Sequence, residues 1–499
     1  MELSLKHDSS GTAHASPTPT PAVSVAPSPV LCVDLDGTLI RSNLLWECVI
    51  SLLKKRPLWV FMLPFWLLGG RANLKSQLAQ RAQLDVTSLP YRQDVLEFLK
   101  ERRSAGGRLV LVTAGAEELA RRVAEFLGIF DSCFASTRND NLKGRGKARF
   151  LCREFGERAF EYIGDSRADV AVWQCSSIAH FVGKERVAIR AGQSVAIGRV
   201  FPVEKATFRT WIAALRGHHW LKNLLLFLPL ALAHRFDARS WMMAAAAFGF
   251  FGVCASGVYV LNDLLDLHSD RIHPWKRKRP FAAGDVSIPA GLVISSALLL
   301  AALPGSFFLS RNFGLVLTGY TFLTIWYSVH LKKVVLLDAF VLSSFYSIRI
   351  WAGALITLVP LSNWFVSFAL FFFLSLSMAK RYSELVHASD LIEQGHSGRG
   401  YVVADRSLLM NLGIASGFSA VVIFTLYVHS PEVLMLYQRP GPLMLLAPTI
   451  AYWLSRLWLK ASRGELHEDP VVLAMKDPVS YAVAAIGLLV LIASAAKLH

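Results

Sequence analysis

No two cysteines in this 499-residue chain are spaced as C-x-x-C, and the six present (Cys32, Cys48, Cys133, Cys152, Cys175 and Cys254) are scattered. That excludes a dithiol redox motif and a thiolate zinc site. Isolated thiols among apolar neighbours fit a reducing cytosol. A charged start followed by an apolar stretch is also missing; residues 1–29, rich in Ser, Thr, Pro and Ala, read as a disordered tail and not as a signal peptide. Nothing resembles a DNA- or RNA-binding motif, so the net charge of +16 points to anionic lipid or a phosphate-rich substrate, with no nucleic acid as partner. Acid is scarce, 36 Asp and Glu against 52 Lys and Arg, so any cluster of carboxylates stands out.

What the chain has in excess is apolar sequence: 54% hydrophobic residues, with a mean hydropathy of +0.42. The excess is uneven. Residues 1–200 alternate as soluble domains do, while 211–499 is a series of long apolar runs. The expected fold is an N-terminal α/β Rossmann-like domain followed by an all-α polytopic membrane domain. The boundaries are 1–29 for the tail, 30–185 for the α/β domain, 186–208 for a linker and 209–499 for the membrane part. About nine transmembrane helices are expected, near 222–235, 241–262, 288–309, 313–330, 335–357, 364–379, 408–428, 443–459 and 479–497. Arg271 to Arg279, Lys332 with Lys333, Lys380 with Arg381 and Arg399, and Lys460 with Arg463 and Lys476 all fall on one side. The positive-inside bias makes that side cytoplasmic, in a multi-pass protein of the cell inner membrane. A homo-oligomer is compatible with the sequence.

The densest chemistry lies in Asn262 to Pro280, N-D-L-L-D-L-H-S-D-R-I-H-P-W-K-R-K-R-P. Asp263, Asp266 and Asp270 stand at i, i+3 and i+7, which on one helix puts three carboxylates on one face. Such a cluster is costly without a cation, and hard oxygen ligands suit Mg²⁺ shared with a substrate's phosphates. Arg271, His273, Lys276, Arg277, Lys278 and Arg279 follow as a cationic apron. A solvated juxtamembrane loop accounts for the cations but not for three aligned acids that end an apolar helix.

In the soluble part, four stations follow in order. Val30 to Val33 runs into Asp34-Leu-Asp36-Gly37-Thr38, a strand ending in two acids and a turn. Leu109 to Val112 ends in Thr113. Lys143 and Lys147 lie in a basic turn, Lys147 opening a helical pattern. Tyr162-Ile-Gly-Asp165 leads to Asp169. The ordered set resembles the haloacid dehalogenase-like (HAD) phosphatase superfamily over about residues 30–185. The resemblance implies Asp34 as nucleophile, Asp36 as general acid and base, Thr113 and Lys147 on the phosphoryl group, and Asp34, Asp165 and Asp169 around Mg²⁺. A retired hydrolase kept as a scaffold is the competing reading. The apolar run Pro57 to Leu68 is read as a cap or a membrane-surface anchor, because a span there would separate Asp34 from Thr113.

The run from 209 to 499 resembles the UbiA-type intramembrane prenyltransferases, which share N-D-x-x-D-x-x-x-D. Where quinone-type members carry a second acid motif, this chain has Lys380-Arg381-x-x-Glu384, so an anionic acceptor is expected. With L-R-x-x-x-W-x-K-N around Lys222, L-K-x-x-x-x-x-D around Lys332 and G-E-L-H-x-D-P-V-V, the pattern is similar to the decaprenyl-phosphate phosphoribosyltransferase branch. That implies a polyprenyl phosphate lipid as acceptor and phosphoribosyl diphosphate as donor, with Mg²⁺ on Asp263, Asp266 and Asp270. Lys222, Arg271, Lys276, Lys332, Arg349, Lys380 and Arg381 are the candidate phosphate ligands, and His273 is read as structural. Arg349, inside an apolar run, is expected to pair with Asp338 or with a phosphate. An aromatic prenyltransferase, and a transporter or scaffold with a regulatory α/β domain, stay open as alternatives.

Overall fold

A computed structural model describes residues 29–136, 142–183, 195–204, 206–387, 400–466, 469–474 and 476–495. Residues 1–28 of the expected tail, Arg399, and residues 186–194 and 205 of the expected linker lie outside these residues. The strands β1 (Val30–Val33), β2 (Leu109–Ala116), β3 (Ser132–Ser136), β4 (Phe160–Gly164), β5 (Ile178–Gly183) and β6 (Ala196–Pro202) form one sheet in the order β3-β2-β1-β4-β5-β6. Every pairing is parallel. β6 falls inside the stretch expected to be linker, so the sheet runs past the expected boundary at 185. Leu109 to Val112 are wholly buried, as expected where helices cover both faces of a parallel sheet. β1 lies between β2 and β4, so strand order reverses there and the carboxyl ends of these three strands open on one crevice.

Helix α1 (Leu44–Lys55) leaves that crevice, capped by the Asn43 side chain, which accepts from the Leu45 N–H. Its Leu44, Cys48, Val49 and Leu52 pack into the α/β core, while Ile50 joins Val260, Leu264, Phe281 and Ile288 of the membrane part. Trp46 and Leu53 line the second cluster too, and positions 46, 50 and 53 share one helical face. One helix therefore serves two cores. Burying each such side chain is worth roughly 1.5–3 kcal/mol, which ties the domains together. The following turn and helix α2 (Leu63–Leu68) leave Leu58, Phe61, Phe65 and Leu68 exposed at 65% or more. The segment is too short to span a bilayer.

The second half is helical. Six helices are long and apolar enough to cross a membrane: Ala238–Leu265, Ile288–Leu309, Leu337–Thr357, Asn363–His387, Val403–Val428 and Pro478–Ala495. The expected count of nine is therefore corrected to six among the described residues. Of the other three, 222–235 folds as a 3₁₀ stretch, Gly217–Phe227, and the five-residue helix Leu228–Leu232. The run at 313–330 forms the helix Arg311–Val329, whose Arg311, Asn312 and three threonines dilute its apolar content. The third is only Leu446–Ser462, shortened by the proline-bearing turn Gly441–Leu445 and carrying Arg456 and Lys460.

Candidate active sites

In the crevice of the sheet, Asp34, Thr113, Lys147 and Asp169 are all buried. Lys147 Nζ donates to Asp34 Oδ1 at 2.7 Å and to the Tyr162 hydroxyl at 2.9 Å, and that hydroxyl donates to Asp169 Oδ1 at 2.8 Å. Ser166 fixes the other Asp169 oxygen through its backbone N–H and hydroxyl. Asp36 accepts the Leu44 N–H at 2.8 Å, so the start of α1 holds it in place. Gly37, at φ +81°, has no alternative: a Cβ there would stand 2.2 Å from an Asp165 oxygen. Thr113 Oγ1 accepts from the Gly115 N–H at 3.0 Å.

Burial raises the Asp34 carboxyl to about 6, with Lys147 opposing and Asp169 adding to the rise, and raises Asp165 to about 7, helped by the neighbouring charge of Asp34. Ligand oxygens of Asp34, Asp165 and Asp169 all lie within 4.8 Å of one another. Three crowded hard-oxygen donors, two of them with carboxyls raised by burial, are what a divalent cation relieves, so these residues fit Mg²⁺. Asp34, Asp36, Lys147, Asp165 and Asp169 are brought together, and Thr113 lies buried in the neighbouring strand β2.

The membrane motif is arranged differently. The first long helix, α3 (Ala238–Leu265), stops just before Asp266, and α4 (Leu267–Ile272) starts just after it. The Asp266 and Asp270 N–H groups still donate to the Asn262 and Asp266 carbonyls at 2.9 and 2.8 Å, so the helical ladder continues across this turn, but the three acids meet different cations. Asp263 is gripped by Arg216, whose Nε lies 3.2 Å from Oδ2, and by Arg279 at 3.3 Å. Arg279 also donates to Asp270 at 2.7 Å. Asp266 instead accepts from Lys332 at 2.7 and 2.8 Å and from Lys54 of α1 at 3.2 Å. One guanidinium nitrogen thus bridges Asp263 and Asp270, a place that fits a cation between two carboxylates. Asp266 faces a different pair of cations. Among the described residues, only the Asp34 cluster gathers three donors within reach of one ion.

The candidate phosphate ligands separate into two sets. Lys222 and Lys380 converge on Asp469 Oδ2 at 2.7 and 2.9 Å, with the Tyr346 hydroxyl 3.1 Å from Lys222. Lys222 reaches this point because Gly353 lets the 3₁₀ stretch press against its helix; a Cβ there would lie 2.1 Å from the Leu226 carbonyl oxygen. Arg349 and Arg381 are only 2% exposed and engaged by the protein itself. Arg349 donates to Asn223 at 2.8 Å, the Tyr320 hydroxyl at 2.7 Å and the Phe345 carbonyl at 2.5 Å. The expected partner Asp338 binds Arg381 and Tyr401 instead, and Arg381 also holds Glu384 and Tyr327 at 2.7 Å each. Arg271 points away to Glu47 of α1 at 2.7 and 3.1 Å. Lys276 is half-buried in the turn Lys276–Lys278.

Residues 223–476 match the model of the UbiA prenyltransferase family, and residues 31–174 match that of the haloacid dehalogenase-like hydrolases. The chain belongs to the UbiA prenyltransferase family. It is 36% identical over 466 residues to the uncharacterized protein y4nM of Sinorhizobium fredii, covering 92% of this chain and 89% of that one. The nodulation protein NoeC of Azorhizobium caulinodans is 36% identical over 286 residues, 55% of this chain and 89% of that protein. The decaprenyl-phosphate phosphoribosyltransferase of Mycobacterium tuberculosis is 37% identical over 179 residues, 35% of this chain and 59% of the enzyme. This UbiA member is thus a multi-pass membrane enzyme, a transferase joined to a phosphatase-like domain.

Asp469 sits at the centre of the UbiA domain's cation cluster without having been assigned a role from the sequence; its place in the G-E-L-H-x-D-P pattern is the signal that marks it. Glu47 and Lys54 were missed entirely. The available signal was Glu47, a lone acid on an otherwise apolar helix face, buried to 4% exposure.

Proposed function

We propose that the UbiA domain transfers 5-phosphoribose from phosphoribosyl diphosphate to a polyprenyl phosphate at the cytoplasmic face of the inner membrane, and that the HAD-like domain then removes the 5-phosphate. A lipid phosphate oxygen attacks ribose C1, the C1–O bond to the diphosphate breaks, and diphosphate leaves. The acceptor is already anionic and needs no general base. Asp263 and Asp270, which share one Arg279 nitrogen, would hold Mg²⁺, which would supply the neutralising charge for the departing diphosphate, while Asp266 stays with Lys332 and Lys54. Arg216, Arg279 and Lys332 surround the same carboxylates and stabilise developing negative charge as fixed cations.

The observation that carries this reading is the convergence of Lys222 and Lys380 on Asp469. Among the described residues, two cations around one acid leave an excess of positive charge, which suits a second phosphate-bearing substrate and not a neutral phenol. The relatives named decaprenyl-phosphate phosphoribosyltransferase support the same substrate class. Arg349 and Arg381, satisfied by protein partners, act as anchors of the helices that carry the cluster.

In the HAD-like domain, the Asp34 carboxylate attacks phosphorus and the ribose 5-oxygen leaves. Asp36, whose carboxyl burial holds above its ordinary range, donates the proton. Water, deprotonated by Asp36, then releases phosphate from Asp34. Lys147 holds the charge on the phosphoryl oxygens, and Mg²⁺ on Asp34, Asp165 and Asp169 would supply the rest. The product is a lipid-linked pentose for arabinose-type glycoconjugate synthesis.

Purified protein incubated with labelled phosphoribosyl diphosphate and polyprenyl phosphate tests the whole reading. Wild type should yield a dephosphorylated lipid-linked pentose, and Asp34→Asn should stop at the 5-phosphorylated lipid. No lipid-linked label sinks the transferase reading; a product that keeps its 5-phosphate in Mg²⁺ sinks the coupling.

A further inference from the structure

We propose that Lys54, a residue of the HAD-like domain, is a phosphate-binding residue of the transferase site, so that this site is assembled from both domains. The inference rests on the transferase reading for the identity of the ligand, but its geometry stands by itself. Helix α1 starts at the phosphatase crevice, where the Leu44 N–H holds Asp36, and its last turn places Lys54 on Asp266. Ten residues of helix separate the two contacts, on the order of 15 Å. One short helix therefore touches the acid machinery of both sites.

Three observations give Lys54 a ligand. First, its ammonium shares Asp266 Oδ1 with Lys332, at 3.2 and 2.8 Å. An ammonium carries three donors, and the contact with Asp266 uses one of those of Lys54. Second, the place is open enough for a substrate group: the side chains of Lys54 and Asp266 are 31% and 25% exposed. The pairs that fix the surrounding structure, such as Glu47 with Arg271, are shut at 4% and 8%. Third, Lys54 is held there by α1. Glu47 and Lys54 lie seven residues apart on one face, the acid paired with Arg271 and the base with Asp266. Because the two pairs have opposite polarity, sliding or reversing the helix would set like charges together. Ile50, between them, is buried against Val260 and Leu264. A phosphate oxygen accepts from Lys54 without breaking its ion pair with Asp266. The ligand class is a phosphate oxyanion, borne either by the lipid acceptor or by the diphosphate of the donor.

The test is equilibrium binding to the full chain in lipid nanodiscs with Mg²⁺, using inorganic pyrophosphate and a short-chain polyprenyl phosphate as separate probes. Lys54→Ala should weaken one probe about tenfold or more, as expected for one charge-assisted hydrogen bond. Lys54→Arg should recover most of that loss. Lys55→Ala, whose lysine bonds Gln83 within its own domain at 2.7 Å, should change nothing. Loss confined to pyrophosphate assigns Lys54 to the donor; loss confined to the prenyl phosphate assigns it to the acceptor. Unchanged binding of both probes overturns the proposal, as does a wild type that binds neither. An equal loss of both together with a lowered melting point also overturns it, because that is the signature of a residue that only docks the domain. Failure of the wild type to transfer phosphoribose would refute the transferase reading alone, since the binding results do not depend on turnover.

Discussion

Glu47 and Arg271 form the most enclosed ion pair between the two domains, and removing its charge on one side should unseat α1. Glu47→Gln keeps the side chain's shape but turns an amide nitrogen towards a guanidinium that donates at 2.7 and 3.1 Å. With the two side chains 4% and 8% exposed, water cannot replace the lost acceptor, and among the described residues Arg271 keeps the Ala282 carbonyl at 3.1 Å. Breaking a buried pair in this way costs about 3–5 kcal/mol. At about 1.4 kcal/mol per factor of ten, the population of undocked α1 should rise by roughly a hundredfold to several thousandfold. Amide hydrogen exchange reads this directly: residues 44–55 and 267–272 should exchange faster by that factor, while the central strands β1 and β2 keep their protection. The double variant Glu47→Leu with Arg271→Met should exchange more slowly than either single change, because no unpaired charge is left buried. Unchanged exchange at both segments in Glu47→Gln would show that the pair contributes nothing to docking, and the reasoning from burial would fail.

Asp263→Asn should abolish transfer while the protein still folds and inserts, because a neutral amide binds Mg²⁺ poorly; near wild-type turnover would remove the motif from the mechanism. Lys380→Ala should weaken the apparent affinity for one phosphorylated substrate by about 2–5 kcal/mol, read as KM for donor and acceptor separately, and equal KM values would leave Lys380 as an anchor of its helix. The exposed side chains Phe61 and Phe65 follow directly on α1, which packs against membrane-spanning helices, so this segment should lie in the bilayer interface. A fluorophore on Phe65→Cys should then be quenched by lipids brominated on the acyl chain and not by iodide in solution. The reverse pattern would place the segment in water.

The phosphatase-like site was legible because its chemistry is local to strand ends. A β-branched or apolar strand followed at once by Asp34, Thr113 or Asp165 fixes which crevice each side chain reaches, once the strands are parallel. The membrane site was legible in its residue types but not in its pairings. Asp338 and Arg349 illustrate why. Both lie on the one helix Leu337–Thr357, eleven residues or about 16 Å apart, so the proposed pair was out of reach and each found its partner on another element. The division of the acid motif was hidden for a similar reason. Asp263 and Asp270 meet Arg279, and Asp263 also Arg216, while Asp266 meets Lys332 and Lys54, partners brought from other elements. Hydropathy alone overcounted the spans where an apolar run is broken by Pro229, diluted by threonines, or cut short near Pro440 and Pro442.

What the sequence had no means of showing is that α1 belongs to both domains. Its pattern is that of an ordinary amphipathic helix, with one anomaly, Glu47. A buried acid demands a cation, and the α/β core around Leu44, Cys48, Val49 and Leu52 is apolar. The cation had to come from outside that core, and Arg271 of the acid motif supplies it. The same argument gives the contact its consequence. A helix fixed at Asp36 by its first residue and at Asp266 by its last turn moves as one body, so displacing either end displaces a charge in the other site.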